Sequence, residues 1–444
     1  MRTPNIYFGN FCRTFLCSLL ACSRSGQVCL LDSASEATSD GTFHAALELP
    51  ASKTHSGAVS SGCWYSADTG MFLTGGSDGN VQAWDSNTGS SAFTFAANKH
   101  VNHLSMPAAA AKNASPLHTV CAVCTSGKAV KLLDLRIAAP VAHLSASDSS
   151  VLQAAWSHCR PHLLATAAAD GTVFFWDARR SGLDACVGQL DHEQQQRRSV
   201  AAAGGSSSAV PPPTGARRLS SALKQRIVAR ARGGMTSLPR DAGGPVGFAF
   251  KPHMSHTAHA GAASSVTFLP KEASSTEAVL TTGSDNTVRL WHSDSTGCGN
   301  RWRLGSCSSA GVASAHKLGC QPGILLLPSP MAGTAASAHS GSVDVCVLHP
   351  NTCSATTGAG GAAGTGDSTG GVAVLNMREP DQVMNLWGGH LGTVTHVQPN
   401  AARCCVYTAG QDGSIVCRRL RATLAAGDSA PAAPAEAAAW GDLL

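Results

Sequence analysis

Short apolar runs of five or six residues recur along the chain, bounded by polar and glycine-containing turns. Residues 163–168 (LLATAA) and 172–176 (TVFFW) form one such pair, joined by Asp170-Gly171 and followed at once by Asp177. Apolar runs of this length that contain β-branched and aromatic side chains predict strands buried between neighbouring sheets. The Asp-Gly dipeptide predicts a hairpin turn in which both central residues have positive φ.

The same order of strand, turn, strand and Trp-Asp recurs, and Trp-Asp at the end of a unit is typical of propeller blades. The unit at residues 59–85 is also preceded by a histidine, His55. In WD-repeat units the opening histidine, the turn aspartate and the tryptophan are joined through a serine or threonine, which the sequence alone does not assign. The residues predicted to form these structural networks are His55, Asp78, Trp84, Asp170, Trp176, His259, Asp285, Trp291, His390 and Asp412.

The spacing of the units predicts a single array of seven. The closing positions Trp84, Leu133 and Trp176 lie 49 and 43 residues apart, close to the roughly 40–45 residues of a WD unit. Residues 1–420 are therefore expected to form an all-β, seven-bladed WD-repeat β-propeller. Closure of such a ring hides the sheet edges that would otherwise recruit other strands.

The first unit is the shortest. Residues 14–22 and 27–31 are predicted strands around a Ser25-Gly26 turn, with Asp32 in the closing position. Since only about two strands precede Asp32, we expect the first blade to be incomplete and the ring to be fastened in an unusual way. A targeting leader is the alternative for this stretch, because it is basic and has no acidic residue before Asp32.

The sixth and seventh units depart most from the repeat pattern. Candidate strands of the sixth unit are residues 323–327, 342–348 and 371–375. The seventh unit is expected to close near Cys417, where tryptophan would be usual.

Two inserts and a tail have low-complexity compositions. Residues 194–251 are basic and contain runs of Gly, Ser and Pro, so we predict a disordered loop, with a nuclear import signal or a nucleic-acid contact as alternatives. Residues 356–371 are glycine-rich but lack the Gly-Lys-Ser/Thr of a phosphate-binding loop, which favours a linker. Residues 421–444 are predicted to be a flexible tail.

Composition favours a binding protein over an enzyme. The net charge of +5 is too small to indicate nucleic-acid binding by itself. The 17 cysteines show no zinc-ligand spacing, so no metal or other cofactor is expected. No apolar run approaches the 18 residues of a membrane span, and neither paired carboxylates nor a Gly-x-Ser-x-Gly motif indicates catalysis.

Four segments carry a resemblance to a known family, namely residues 68–72 (DTGMF), 81–88 (VQAWDSNT), 176–180 (WDARR) and 282–291 (TGSDNTVRLW). In this order and context the chain resembles the Cockayne syndrome group A family of WD-repeat proteins, which act in transcription-coupled nucleotide-excision repair. The resemblance covers roughly residues 19–420. The helical segment that precedes the first blade in this family, and docks on its adaptor, is not found in the sequence.

The resemblance implies a nuclear, non-catalytic substrate receptor of a cullin-4 RING ubiquitin ligase. Its partners would be the adaptor called damage-specific DNA-binding protein 1 and the repair machinery at stalled RNA polymerase II. Receptors of this class often carry Trp-Asp-x-Arg at blade ends. Arg179 matches that motif in full and Arg136 in part, which makes both of them candidate adaptor-binding residues.

Other interpretations of the same sequence stay open. Arg179 is alternatively a residue that only caps its own blade. The protein as a whole is alternatively a WD-repeat scaffold of another nuclear complex, in RNA processing or chromatin, or a propeller hydrolase, which the absence of catalytic motifs disfavours.

Overall fold

The computed structural model describes residues 6–8, 18–32, 44–68, 70–107, 117–145, 149–180, 185–192, 257–274, 276–293, 302–308, 322–328, 343–353, 369–377, 383–400 and 405–419. The predicted basic insert and the predicted tail lie outside these ranges. Most of the predicted glycine-rich linker does so too, but its last three residues, 369–371, belong to a strand.

Seven antiparallel sheets are formed by the described residues, and the strands of each sheet follow one another in sequence order. They are β1 (Ile6–Phe8), β2 (Ser18–Ser23), β3 (Val28–Asp32) and β4 (His44–Leu49) in blade 1; β5 (Val59–Trp64), β6 (Met71–Gly76), β7 (Asn80–Asp85) and β8 (Ser91–Ala96) in blade 2; β9 (Val101–Ser105), β10 (Val120–Thr125), β11 (Val130–Asp134) and β12 (Ala139–Leu144) in blade 3; β13 (Val151–Trp156), β14 (Leu163–Ala168), β15 (Val173–Asp177) and β16 (Cys186–Gln189) in blade 4; β17 (Ala263–Phe268), β18 (Ala278–Gly283), β19 (Val288–Ser293) and β20 (Trp302–Ser308) in blade 5; β21 (Gly323–Pro328), β22 (Val343–Cys353), β23 (Thr369–Asn376) and β24 (Val383–His390) in blade 6; and β25 (Val394–Asn400), β26 (Cys405–Gly410) and β27 (Ile415–Arg419) in blade 7. A short 3-10 turn, Lys271–Ala273, follows β17.

The predicted seven-bladed β-propeller is therefore confirmed. Among the residues placed by the structure, no helix is long and apolar enough to cross a membrane.

The hairpin turns differ in detail from the prediction. In blades 2, 4 and 7 only the glycine of the Asp-Gly pair has positive φ, at 80°, 82° and 79° for Gly79, Gly171 and Gly413. Asn286 takes the corresponding conformation in blade 5, at 58°. The loops are thus of the three-residue kind, in which a left-handed residue follows an ordinary turn, and the expectation of positive φ at the aspartate was wrong.

The core lies between neighbouring blades, where apolar side chains of adjacent sheets interdigitate. Phe175 of blade 4 stacks on Trp302 of blade 5, with ring centroids 4.5 Å apart and planes 7° from parallel. Phe268 and Trp291 belong to the same buried cluster. A single hairpin buries none of this surface alone, so each blade depends on the next.

The innermost strands are also joined by polar side chains. Asn102 of blade 3 donates to the Val151 carbonyl of blade 4 at 2.8 Å. Gln153 of blade 4 accepts from the Val266 N–H of blade 5 at 2.9 Å. Because a first strand has no strand on its inner side, these bonds satisfy backbone groups that its own sheet leaves unpaired.

Blade 1 corrects the prediction of an incomplete first blade. Its sheet has four strands, with β1 innermost and β4 outermost. Leu19 packs with Cys405 and Tyr407 of blade 7, so the first and last blades meet through side chains. Within the described residues the three-stranded sheet is blade 7 instead.

The closing position of blade 7 is also corrected. In blades 2, 4 and 5 the closing tryptophan pairs with a residue of the second strand that lies two positions before the threonine of the network. The pairs are Trp84 with Phe72, Trp176 with Leu164, and Trp291 with Val279. The equivalent residue in blade 7, Val406, pairs with Arg418. Arg418, not Cys417, therefore occupies the tryptophan position.

The strand order defines two faces of the ring. Neighbouring strands are antiparallel, so the connections between first and second strands and between third and fourth strands lie on one face, here called the front face. In blade 4 their described residues are 157–162, 178–180 and 185. The turns between second and third strands and the connections between blades lie on the opposite, back face.

Candidate functional site

Two arginines occupy corresponding positions on the front face of adjacent blades. Arg179 follows the third strand of blade 4, and Arg136 follows the third strand of blade 3. Arg179 Nε and Nη2 donate to Asp177 Oδ1 and Oδ2 at 3.0 and 2.8 Å. Arg136 Nε and Nη2 donate to Asp134 Oδ1 and Oδ2 at 3.1 and 2.7 Å. The two pairs therefore share one bidentate geometry.

The local backbone sets this geometry. The strand ends at the aspartate, and its carboxylate then accepts the N–H of the residue two positions later, at 3.1 Å for Arg179 and 3.0 Å for Arg136. Such a turn is a common conformation of aspartate, because the short side chain reaches its own backbone. The turn brings the arginine side chain back across the carboxylate.

The carboxylates are buried and the guanidinium groups are not. The side chains of Asp177 and Asp134 are 6% and 7% exposed, whereas those of Arg179 and Arg136 are 62% and 71% exposed. Each guanidinium group is thus bound to a buried aspartate of its blade and is otherwise exposed to solvent. Arginine suits contact surfaces in this arrangement, because its planar group pairs with acceptors in fixed directions.

The electrostatics of the pairs follow from these bonds. The hydrogen bond from Arg179 lowers the pKa of Asp177 to about 2, although burial of the carboxylate opposes the shift. The hydrogen bond from Arg136 likewise lowers the pKa of Asp134. Both carboxylates are therefore ionised at neutral pH, and each pair has little net charge.

Other polar groups continue the front face from Arg179 toward blade 5. The His162 carbonyl accepts from the Ala178 N–H at 2.8 Å. Burial lowers the pKa of His162, and the nearby charge of Arg179 lowers it further. Arg160 pairs with Glu277 of blade 5 through Nε at 2.7 Å, and its guanidinium lies 5.9 Å from the Trp302 ring centroid.

The predicted structural networks are found on the back-face side of the blades. In blade 2, His55 Nδ1 lies 3.0 Å from Asp78 Oδ1, and His55 Nε2 lies 2.8 Å from Thr74 Oγ1. Trp84 Nε1 donates to the same threonine oxygen at 2.8 Å. The network therefore runs from the turn, through the opening histidine, to the third strand.

Blade 5 has the same network with an added arginine. His259 lies 2.9 Å from Asp285 and 2.8 Å from Thr281, to which Trp291 donates at 2.9 Å. Arg289 also donates to Asp285, at 2.9 Å. Burial by itself raises the pKa of Asp285, but the hydrogen bonds from His259 and Thr287 and the charge of Arg289 lower it well below its usual value.

The contacts around His259 involve both of its ring nitrogens. An indole N–H only donates, so Thr281 Oγ1 accepts from Trp291 and also lies within hydrogen-bond distance of His259 Nε2. His259 Nδ1 lies 2.9 Å from Asp285 Oδ1 and 2.7 Å from Arg289 Nη1. Burial lowers the pKa of His259, which favours its neutral form.

Blades 7 and 4 retain different parts of the network. In blade 7, His390 contacts Thr408 at 2.8 Å and Asp412 at 3.4 Å, while Arg418 stands in the place of the tryptophan. In blade 4, Trp176 donates to Thr166 at 2.9 Å, but the position of the histidine is occupied by Ser147, which lies outside the described residues.

The prediction that Asp170 belongs to a buried network needs correction. Asp170 is exposed in its turn and accepts from Thr172 N and Oγ1 at 3.1 and 2.6 Å. Without an opening histidine to bridge them, the turn carboxylate is too far along the blade to join the threonine and Trp176.

The sequence analysis did not assign the threonines of these networks, although their spacing from the tryptophans is constant. Thr74, Thr166 and Thr281 each precede the blade's tryptophan by ten residues. Nothing in the sequence pattern indicated that Asp134 and Asp177 hold the candidate arginines, because that contact depends on the turn that follows the strand.

Comparison with known families agrees with this architecture. Residues 49–85, 138–177 and 250–292 match the family described as "WD domain, G-beta repeat". These segments end at the closing positions of blades 2, 4 and 5. The chain is a WD-repeat protein.

This WD-repeat protein is similar to "WD repeat-containing protein ATCSA-1" of Arabidopsis thaliana, with 34% identity over 140 residues. The match covers 32% of this chain and 29% of the relative, so it spans less than a third of either protein.

WD40 propellers are typically binding platforms, and the residues described here suit that role. No group of three or more side chains able to hold a metal ion occurs in the part of the chain that the structure describes. Titratable groups whose pKa is strongly lowered, such as Asp285 and Asp177, form hydrogen bonds with side chains of their own blades. The tethered arginines are exposed donors on the same face of two adjacent blades.

Proposed function

We propose that this WD-repeat protein is a non-catalytic, nuclear substrate receptor of a cullin-4 RING ubiquitin ligase that acts in transcription-coupled nucleotide-excision repair. Its adaptor would be damage-specific DNA-binding protein 1, and its site of action would be RNA polymerase II stalled at a lesion. The partial similarity to the Arabidopsis protein and the matching residues of the Cockayne syndrome group A family support this assignment.

The observation that carries the proposal is the pair of tethered arginines. Arg179 and Arg136 lie on adjacent blades, on the same face, and each is held by a buried aspartate. Held in this way, a guanidinium loses little further conformational freedom when a partner binds. Two such groups form a rigid contact that an adaptor surface of fixed shape can match.

The alternative that Arg179 only caps its blade accounts for its inner bonds to Asp177. It does not account for the second, equally exposed pair in blade 3, nor for the donors that both arginines direct outward. These features favour a contact with another macromolecule, and acceptor groups such as carboxylates and backbone carbonyls are its natural complement.

Binding to the purified adaptor tests the proposal. We expect Arg179→Glu to weaken binding about tenfold or more, as loss of an arginine anchor does at protein interfaces, and Arg136→Glu to act in the same direction. Arg24→Glu is the matched control, because Arg24 is an exposed arginine in a back-face turn of blade 1. Arg179→Gln retains a hydrogen-bond donor without the charge and should have an intermediate effect.

Reconstituted ubiquitin transfer provides the second measurement. We expect the complete ligase to modify substrate in the presence of the wild-type chain and less in the presence of Arg179→Glu. If the wild-type chain binds no adaptor but co-purifies from nuclear extract with a stable RNA-processing or chromatin complex, the scaffold alternative replaces the proposal.

A further inference from the structure

A pocket of about 250 Å³ opens on the front face between blades 4 and 5. Its lining includes the apolar Leu269 and Pro270 and the polar Ser274 and Thr276 of blade 5, with Cys159 contributed from blade 4. This volume is below the roughly 300–1,000 Å³ of small-molecule sites, so it suits a side chain of a docked protein better than a cofactor.

Two charged side chains, Lys271 and Glu277, are among the residues that line the pocket. Glu277 lines the pocket, but its carboxylate is only 7% exposed and is already bound by Arg160 and by the Ser157 hydroxyl. Lys271 is exposed, and it forms no ion pair with a carboxylate among the residues that the structure describes. An acidic side chain with an apolar stem is the complement of this arrangement.

The pocket is continuous with the tethered arginines. The His162 carbonyl accepts the Ala178 N–H next to Arg179, and the charges of Arg179, Asp177, Arg160 and Glu277 all affect the pKa of His162. Arg160 then bridges to Glu277 at the pocket wall. The row is rigid, because Arg160 lies over Trp302 and Trp302 stacks on Phe175 in the buried core.

We propose that the docking face extends from Arg179 across His162 and Arg160 into this pocket, and that the pocket receives a glutamate or aspartate of the docked partner, whose carboxylate pairs with Lys271. The inference rests on the proposed function, since the partner is the adaptor that Arg179 and Arg136 would bind. A nucleic acid is disfavoured as the occupant, because Arg179, Arg136 and Arg160 are each paired with a carboxylate and offer directional donors instead of a field of free charge, although Arg180 shares Asp177 with Arg179.

The first experiment measures adaptor binding by variants at the pocket rim. We expect Lys271→Glu to weaken binding about tenfold and to make it less sensitive to salt, as changes of interfacial charges do, with Lys271→Gln in between. Lys128→Glu is the matched control, since Lys128 is an exposed lysine of the back face of blade 3 and the change in net charge is the same. Thermal melting of each variant establishes that the fold is intact.

The second experiment uses the pocket cysteine as a footprint. Cys159 is exposed, as is Cys307 on the outer strand of blade 5. We expect adaptor binding to slow alkylation of Cys159 at least several-fold, while alkylation of Cys307, followed by mass spectrometry in the same sample, changes little.

The outcomes separate this inference from the proposed function. If Arg179→Glu weakens binding while Lys271→Glu binds like the wild type, or if Cys159 stays equally reactive in the complex, the pocket is not part of the interface and the inference is wrong. If the wild-type chain binds no adaptor, the proposed function fails and this inference fails with it.

Discussion

Blades 4 and 5 are neighbours with the same order of four strands, but different side-chain hydrogen bonds stabilise them. Both place a tryptophan of the third strand against a threonine of the second, at 2.9 Å. Only blade 5 continues from that threonine to His259 and Asp285. The tryptophan–threonine contact therefore joins the second and third strands in both blades, and in blade 5 the histidine adds a tie between the incoming segment and the turn.

Blade 4 holds its incoming segment by weaker means. The Asp170 N–H donates to the Ser149 hydroxyl at 3.0 Å, and the Ala169 N–H donates to the Ser150 carbonyl at 3.0 Å. These bonds lie at the surface, where exchange with water reduces their net contribution. The comparison teaches that the buried charge network is a local addition to a blade and not a requirement of the fold.

The two blades are nevertheless connected at this point. The Gly171 carbonyl in the turn of blade 4 accepts the N–H groups of Ala258 and His259, at 2.9 and 3.2 Å. A Cβ atom at Gly171 would lie 2.3 Å from the His259 carbonyl oxygen, so this close approach requires glycine. The turn of blade 4 thus positions the histidine on which blade 5 depends.

The largest difference in stability between the two blades should come from replacing the turn aspartate of each, Asp285 in blade 5 and Asp170 in blade 4. Asp285→Ala removes the carboxylate that contacts both the buried Arg289 and His259. We expect a loss of about 3 kcal/mol in the free energy of unfolding, as for a broken buried pair. Asp170→Ala removes the bonds of an exposed turn and should cost below about 1 kcal/mol.

Chemical denaturation monitored by tryptophan fluorescence measures both values. Equal losses from the two substitutions would show that the network of blade 5 adds no more than an ordinary turn. Thr172→Ala, which removes a hydroxyl bonded to Asp170, is a further control within blade 4 and should resemble Asp170→Ala.

A second contrast is the response to acid. Burial lowers the pKa of His259 below its ordinary value, so the unfolded chain, with a histidine pKa near 6.5, takes up the proton first. The contribution of this histidine to stability is thus fully present above about pH 6.5 and is lost as the pH falls toward the folded-state pKa. The slope is at most about 1.4 kcal/mol per pH unit.

Denaturation at several pH values between 7.5 and 5.5 tests this. Other buried histidines, including His349, whose pKa burial lowers to about 4, contribute their own acid dependence, so the informative quantity is the change of slope in His259→Gln. We expect that slope to be shallower than in the wild type. His162→Gln, a change at a half-exposed histidine of blade 4, should alter the slope less.

The sequence predicted the parts of this contrast that depend on local pattern. The turn at Asp170-Gly171 and the closing Trp176 were evident, because hairpin residues and buried strands leave a short-range signal. The absence of an opening histidine in blade 4 was evident as well. What the sequence did not reveal is that Asp170 therefore becomes a surface residue, since burial depends on the neighbouring side chain that is missing.

Errors elsewhere have similar causes. Six residues separate the turn aspartate from the tryptophan in blades 2, 4 and 5, and applying that interval to Asp412 places Arg418, not Cys417, at the closing position of blade 7. The complete first blade was missed because its innermost strand, β1, has only three residues and lies nine residues before β2. Such a strand is defined by its pairing with β2 and not by its own pattern.

The smallest expected change in stability concerns the candidate contact on the front face of blade 4. Asp177→Asn removes the charge that binds Arg179 but retains an oxygen able to accept its backbone N–H. Because the guanidinium is exposed and water replaces the lost ion pair, we expect the free energy of unfolding to change by less than about 1 kcal/mol. Adaptor binding should fall several-fold, since Arg179 would no longer be held in one orientation.

The matched variant is Asp85→Asn in blade 2, where the equivalent aspartate accepts the backbone N–H groups of Asn87 and Thr88 and the position of the arginine is occupied by Asn87. It should leave adaptor binding unchanged. A binding loss at Asp177 without a comparable loss of stability would show that blade 4 uses this carboxylate to position a contact residue, whereas blade 5 uses Asp285 to fasten strands. Equal binding by both variants would instead mean that Arg179 needs no tether, and that its pairing with Asp177 serves the blade alone.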